Sequence, residues 1–373
     1  MTQAELDSAR SESVEPTPVT DSTAVNGRLS PRVLTVTRRL AVLLWALTLL
    51  YWVHRVGLTF DRNTLLIYVV AGLIAGSIGT RGVLNVLRDW LPFILLLLIY
   101  DLSRGAAEAL GRPTEWHLQL DFDRWLFGGT EPTVWLQAKL KEPFPPWWET
   151  LVSLIYVSYF FAPYAVAGVL WLRDRTAWRR FAAQFVLISF IGLIGFVIFP
   201  AAPPWAAAQC SATEVADGPS DPSCIDAGVG RVTDGGMLGK VDPSHHGAAP
   251  YIERVASRGW NKLGIPQAKA LVDEGQAGSN QVAAVPSLHA AISGLLVVFF
   301  WPRVRKRWRP LLAGYGLAMA FSLVYGAEHY IFDILLGWLL TAAVSAGFWR
   351  WDRRRAKSME PTDTLDGSIL ARS

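Results

Sequence analysis

The chain has 373 residues, 51% of them hydrophobic and 18% charged, with 17 Trp. The charged share lies below the roughly 25% usual for soluble domains, and mean hydropathy is +0.27. These values exclude a disordered chain, a collagen and a small disulfide scaffold, and argue against a single soluble core. They fit a polytopic membrane protein with polar tails and one large polar loop. The net charge is +4. The positive charges come in short bursts between apolar runs and no RNA- or DNA-binding motif is present, so no nucleic-acid partner is expected.

Residues 1–38 read as a cytoplasmic tail. The first 30 are polar, carry Pro16 and Pro18 and lack periodic apolar positions, which predicts disorder. No basic start leads directly into an apolar stretch, so no signal peptide is read. Eight apolar stretches follow, at about 39–57, 63–80, 90–109, 150–172, 181–200, 285–301, 310–327 and 331–350. Most reach the roughly 17–25 residues that a spanning helix needs. None alternates as a strand would. The expected fold class is therefore all-α, a polytopic membrane helix bundle of about eight transmembrane helices. Two of these (39–89) precede the rest, and residues 353–373 form a second polar tail.

Basic residues set the orientation. With the N-terminus in the cytoplasm, the short cytoplasmic segments collect Arg32, Arg38 and Arg39, then Arg81 and Arg88, then Arg173, Arg175, Arg179 and Arg180. The 303–309 turn and the end of the last helix add ten more. Together with Arg28 these make 20 of the 35 Lys and Arg residues. An even number of helices then puts both termini in the cytoplasm. Two long segments face outward. One, 110–149, is expected to lie at the interface, with Trp116, Trp125, Trp135, Trp147 and Trp148 at headgroup depth. The other, 201–284, is rich in Gly, Ala, Pro, Asp and Ser. It holds both cysteines, Cys210 and Cys224, which are either bridged in an oxidising compartment or free.

Six histidines are present. His54, His117, His245 and His246 read as interfacial or solvated. His289 and His329 stand apart. His289 lies in AAVPSLHAA, at the outer start of the sixth helix, where Pro286 suits a helix N-terminus. Ser287 can cap that helix or bind an anion there. His329 lies in YGAEHYIFDILLGW at the outer start of the eighth helix. Asp333 follows four residues later, on the same helical face, and can accept from one imidazole nitrogen while the other attacks. Topology puts both histidines at one membrane face.

PSLH around His289 and HxxxD at His329–Asp333 resemble the second and third signatures of the type 2 phosphatidic acid phosphatase (PAP2) superfamily, PSGH and SRx5HxxxD. The likeness is greater to its inositol-phosphotransferase branch, which includes inositol phosphorylceramide synthases and prefers PSLH. YDLSRG at Tyr100–Gly105, DRWLFGG at Asp123–Gly129 and FPAAPPW at Phe199–Trp205 are also similar to that branch. The resemblance covers about residues 90–350 and implies a six-helix catalytic domain (90–352). Two features depart from it: Leu323 follows Ser322 where the third signature has Arg, and no Kx6RP first signature is present. The cations that hold phosphate must then come from elsewhere. Arg104 is the first candidate, although an Asp101–Arg104 pair within the third helix fits equally well. Arg231, Lys240 and Arg254 follow. Glu328 and Tyr100 are further candidates for substrate contact.

The resulting expectation is a cell-membrane phosphotransferase with an extracytoplasmic active site, acting on a lipid phosphate among membrane lipids. The group moved is a phosphoryl or polyol phosphate. His329 is read as nucleophile, Asp333 as its orienting carboxylate and His289 as acid and base. No cofactor and no metal are expected, and the oligomeric state is left open. The alternatives are a lipid or polyprenyl phosphate phosphatase using water, a metal enzyme built on the two His and the Asp, and a non-enzymatic transporter or scaffold.

Overall fold

The computed structural model describes residues 30–56, 62–80, 82–109, 112–217, 224–225, 235–262 and 283–359. Its long helices are α1 (Pro31–Val56), α2 (Arg62–Ser77), α3 (Val83–Ala109), α4 (Leu118–Leu126), α5 (Pro132–Leu140), α6 (Trp147–Arg173), α7 (Arg175–Ile198), α8 (Leu288–Phe300), α9 (Arg309–Tyr325) and α10 (Ile331–Met359). Among the described residues the only β pairing is two isolated bridges, which join Ala201 to Glu115 and to Ala283. The protein is an all-α membrane bundle. Each apolar stretch read from the sequence falls largely on a helix, and among the described residues five helices are long and apolar enough to cross a membrane. α2 and α8 are apolar but short, because Ser287 caps α8 late and a turn ends it at Phe300. α1 begins at Pro31, inside the expected tail, where proline's fixed φ suits a first helical turn. α10 runs on to Met359, because the Arg-rich segment after residue 352 favours helix and its cations suit a helix C-terminus.

The main core lies between α3, α6, α7 and α8. Trp90, Phe93 and Leu97 of α3 meet Trp178, Phe181 and Phe185 of α7, with Trp171 of α6 and Phe299 of α8 closing the cluster. At the basic end, the Asp89 carboxylate accepts from the Trp171 indole N–H at 2.8 Å and pairs with Arg175. Arg180 pairs with Asp352 there.

The opposite end carries a folded cap. Among the described residues of 201–284, residues 204–207, 212–217, 255–257 and 259–262 form short helical turns. Trp205, Ala206, Ala207, Leu238 and Val241 bury against Trp116, Leu120 and Tyr330. Cys210 and Cys224 form a disulfide within this cluster. Trp116 is therefore buried inside the protein rather than presented on its surface. Its neighbour Glu115 bonds through the backbone to Pro200 and Ala202, which draws the indole inward. Trp125, Trp135 and Trp147 are exposed, as an interfacial belt requires.

Candidate active site

The site forms where the cap meets the bundle. Ser287 ends the approach to α8, and its hydroxyl accepts from the Ala290 N–H at 3.2 Å. Its own N–H donates to the backbone carbonyl of Asp333 at 3.1 Å, tying the start of α8 to the start of α10. This close approach depends on Gly337, where a Cβ would stand 2.4 Å from the Ser287 carbonyl oxygen.

His289 projects from the first turn of α8 into an aromatic box on α6. Its ring stacks on Tyr156 with centroids 5.1 Å apart, lies 4.0 Å from Tyr159 and meets Phe160 edge-on at 5.7 Å. Its Nε2 is buried and makes no hydrogen bond among the described residues. The His329 ring lies 5.6 Å away between centroids. Its Nδ1 bonds to Asp333 Oδ2 at 3.3 Å, which leaves Nε2 for chemistry. Asp333 is fully buried, and the same oxygen accepts from the Tyr330 N–H at 3.1 Å. The turn into this segment is sharp: Ala327 sits at φ 59°, in the left-handed region, and its carbonyl accepts from the Trp205 N–H.

Glu328 and Arg254 form the charged wall of the site. The guanidinium donates through Nε at 3.0 Å and Nη2 at 2.7 Å to the two Glu328 oxygens, a bidentate pair. It also lies over the Trp205 ring, 4.5 Å from the centroid. It stands close enough to His289 for its charge to act on that imidazole. The segment that carries Arg254 is fastened by a buried network. Lys141 is fully buried, pairs with Glu253 at 3.2 Å and bonds to the Tyr251 carbonyl. Arg258 reaches Glu149 at 3.6 Å and the Glu142 carbonyl at 2.7 Å. Tyr325 donates to Glu149 at 2.6 Å, and Gln137 donates to the Glu253 and Tyr325 carbonyls. Burial lowers the Lys141 pKa, and Glu253 opposes that shift.

The structure thus brings Ser287, His289, Glu328, His329 and Asp333 together. Tyr100 lies elsewhere, packed edge-on against Phe190 between α3 and α7. Asp101 follows it on α3, half-buried. The Arg104 side chain and Arg231 lie outside the described residues, and Lys240 is exposed. Among the described residues, Arg254, ranked behind Arg104 from sequence, is the cation whose charge acts on His289. Nothing in its local sequence set it apart, because its place depends on contacts with three distant helices. The aromatic box of α6 was also missed. Tyr156, Tyr159 and Phe160 read as ordinary spanning residues. Beside the site, an apolar cavity of about 570 Å³ opens between α5, α9 and α10, lined by Trp135, Leu136, Phe321, Val324, Ile331 and Trp338 among others.

A family profile described as PAP2 superfamily matches residues 119–347, from α4 into α10. The chain belongs to the PAP2 superfamily. The matched span includes DRWLFGG, FPAAPPW, PSLH and HxxxD and leaves YDLSRG outside. The chain is 25% identical over 254 residues to a phosphoinositol dihydroceramide synthase of Bacteroides thetaiotaomicron, covering 66% of this chain and 71% of that one. No solved structure matches the chain. As a PAP2 superfamily member with several apolar spanning helices, the protein is a multi-pass membrane enzyme of the phosphotransferase and phosphatase class.

Proposed function

We propose that the protein transfers a polyol-phosphate or phosphoryl group from a lipid donor to a hydroxyl acceptor, through a phosphohistidine, at the extracytoplasmic face of the cell membrane. The observation that carries this is the pair of imidazoles 5.6 Å apart, of which only His329 has a carboxylate on its Nδ1 among the described residues. His329 Nε2 attacks phosphorus, forming a P–N bond as the P–O bond to the lipid alcohol breaks. His289 gives the leaving oxygen its proton. It then takes the proton of the acceptor hydroxyl, whose oxygen bonds to phosphorus as the P–N bond breaks. Asp333 holds His329 in the required tautomer and balances the charge. Arg254 meets the phosphate oxygens, in place of the arginine that Leu323 displaces, while Glu328 keeps its fork in register. The apolar cavity between α5, α9 and α10 takes the lipid tails.

The likeness to a phosphoinositol dihydroceramide synthase favours a phosphoinositol group and a lipid hydroxyl acceptor over simple hydrolysis. The test uses the purified protein in mixed micelles with two donors carrying the same fluorescent acyl chain, phosphatidylinositol and phosphatidic acid. Release of fluorescent diacylglycerol from phosphatidylinositol, accelerated by ceramide, supports the transferase. Release from phosphatidic acid alone makes it a phosphatase. Release from neither, in protein that is folded by thermal melting, removes the proposal.

A further inference from the structure

The reaction outlined above has no use for DRWLFGG, yet the segment lies against the site. Gly128 and Gly129 take φ of 64° and 91°, which turns the chain out of α4. Arg124 donates to the Met237 and Leu238 carbonyls and so holds the cap. Asp123 turns inward and is fully buried. Its Oδ2 accepts from the Ile331 N–H at 2.8 Å and its Oδ1 from the Phe332 N–H at 3.0 Å. These are the first two residues of α10, whose N–H groups no intrahelical carbonyl reaches. Tyr330, just before them, has no side chain suited to capping. Asp333 takes the Tyr330 N–H. Two carboxylates therefore grip three consecutive amides, and one of them is the partner of His329.

We propose that Asp123 is a positioning residue of the active site: by holding the first two amides of α10 it fixes where His329 and Asp333 stand relative to His289. The inference rests on the reading of His329 as nucleophile. Both oxygens are needed as acceptors, which only the ionised carboxylate supplies. A protonated acid, or the amide of Asn, presents a donor at one of them. The groups around Asp123 are Glu131 from the N-cap of α5, Asp333 from α10, Tyr330 from the connecting turn and Arg124 from its own helix. Burial, with Glu131 and Asp333 adding to it, pushes the Asp123 pKa up to about 7. The grip on α10 therefore loosens as pH falls through neutrality.

The experiment uses the full-length protein in mixed micelles with the two fluorescent donors, comparing wild type, D123N, D123A and H329A. D123N should lower kcat by roughly 10–100-fold at pH 8, as expected for sub-ångström to ångström misplacement of reacting groups, with KM within about two-fold. D123A, which removes both acceptors, should lose more. The ratio of wild-type to D123N kcat should shrink between pH 8 and pH 6, because the wild type then loses the same acceptor; both proteins share the histidine titrations. Hydrogen exchange of a peptide spanning residues 330–333 should accelerate in D123N, which reads the cap without reference to activity. If D123A fails to fold, D123N carries the test. Wild-type kcat in D123N overturns the proposal, as does a reduced kcat with a pH-independent ratio and unchanged exchange. If H329A retains activity, the catalytic reading fails instead, and the exchange result still judges the cap.

Discussion

The roles proposed for His329 and His289 rest on the hydrogen bond between His329 Nδ1 and Asp333. A carboxylate on Nδ1 raises the nucleophilicity of Nε2, whereas the aromatic box around His289 keeps that ring fixed and out of bulk water. His329→Ala should abolish both turnover and any acid-labile phosphoenzyme. His289→Ala should slow turnover by roughly 10²–10⁴, the usual worth of general acid–base catalysis. A donor with a good leaving group should restore phosphoenzyme formation in the His289 variant only. Label trapped on His289 would reverse the roles. Arg254→Lys keeps the charge but loses the bidentate fork to Glu328, so it should fall well short of wild-type turnover. Equal rates for Lys and Arg would remove Arg254 from phosphate binding. Asp123 adds a stability signature of its own. Its pKa rises from 3.8 to about 7 in the fold, so its contribution to stability is complete below about pH 4 and is lost as pH rises to about 7. The melting temperature of wild type relative to D123N should fall from pH 5 to pH 8. A flat difference would mean that Asp123 does not titrate in this window.

At the level of elements, the site depends on α8 and α10 starting in contact. PSLH and HxxxD are separate signals in sequence, and Gly337 lets them meet. Gly337→Ala would push a methyl against the Ser287 carbonyl, which is backbone and cannot swing aside. The variant should melt lower and lose more turnover than its melting temperature explains, and unchanged kinetics would show that the helices tolerate separation. The segment carrying Arg254 depends on the buried charges that fasten it. Lys141→Met leaves the Tyr251 carbonyl without its donor and Glu253 with only its 3.5 Å contact to Arg258, so the variant should melt lower than wild type. Thermal melting of the variant checks this. A loss near zero would mean that water replaces the ammonium.

For the whole molecule, the basic end and the end that carries the candidate site lie at opposite ends of the bundle. The turn 303–309 and the Arg180–Asp352 pair belong to one, and the disulfide-bearing cap with both histidines to the other. Cysteines introduced at Lys240 and at Lys306 should therefore label from opposite faces. Outside reagents should reach position 240 and not 306, as the basic-residue asymmetry requires. The reverse pattern would put the site in the cytoplasm and remove the extracytoplasmic part of the proposal. Reducing Cys210–Cys224 should loosen the cap that supplies Trp205 beneath Arg254, so turnover should drop while the bundle melts at nearly the same temperature.

The helical class, the apolar stretches and the two histidine motifs were legible in the chain because each rests on local pattern. Hydrophobic runs of spanning length, and an i,i+4 His–Asp pair on one helical face, are written in consecutive residues. Local pattern was less reliable at helix ends, where Pro31 and the Arg-rich end of α10 extended helices into segments expected as tails. It also missed the cap, because the apolar residues of 201–284 are scattered and only their packing on Trp116 and Tyr330 makes a core. Only the tertiary structure decided which cation stands beside the histidines, what surrounds His289 and what holds the start of α10. Arg254, Tyr156 and Asp123 reach the site from three separate elements, each through contacts between residues far apart in sequence, and a one-dimensional pattern carries no distance between such residues.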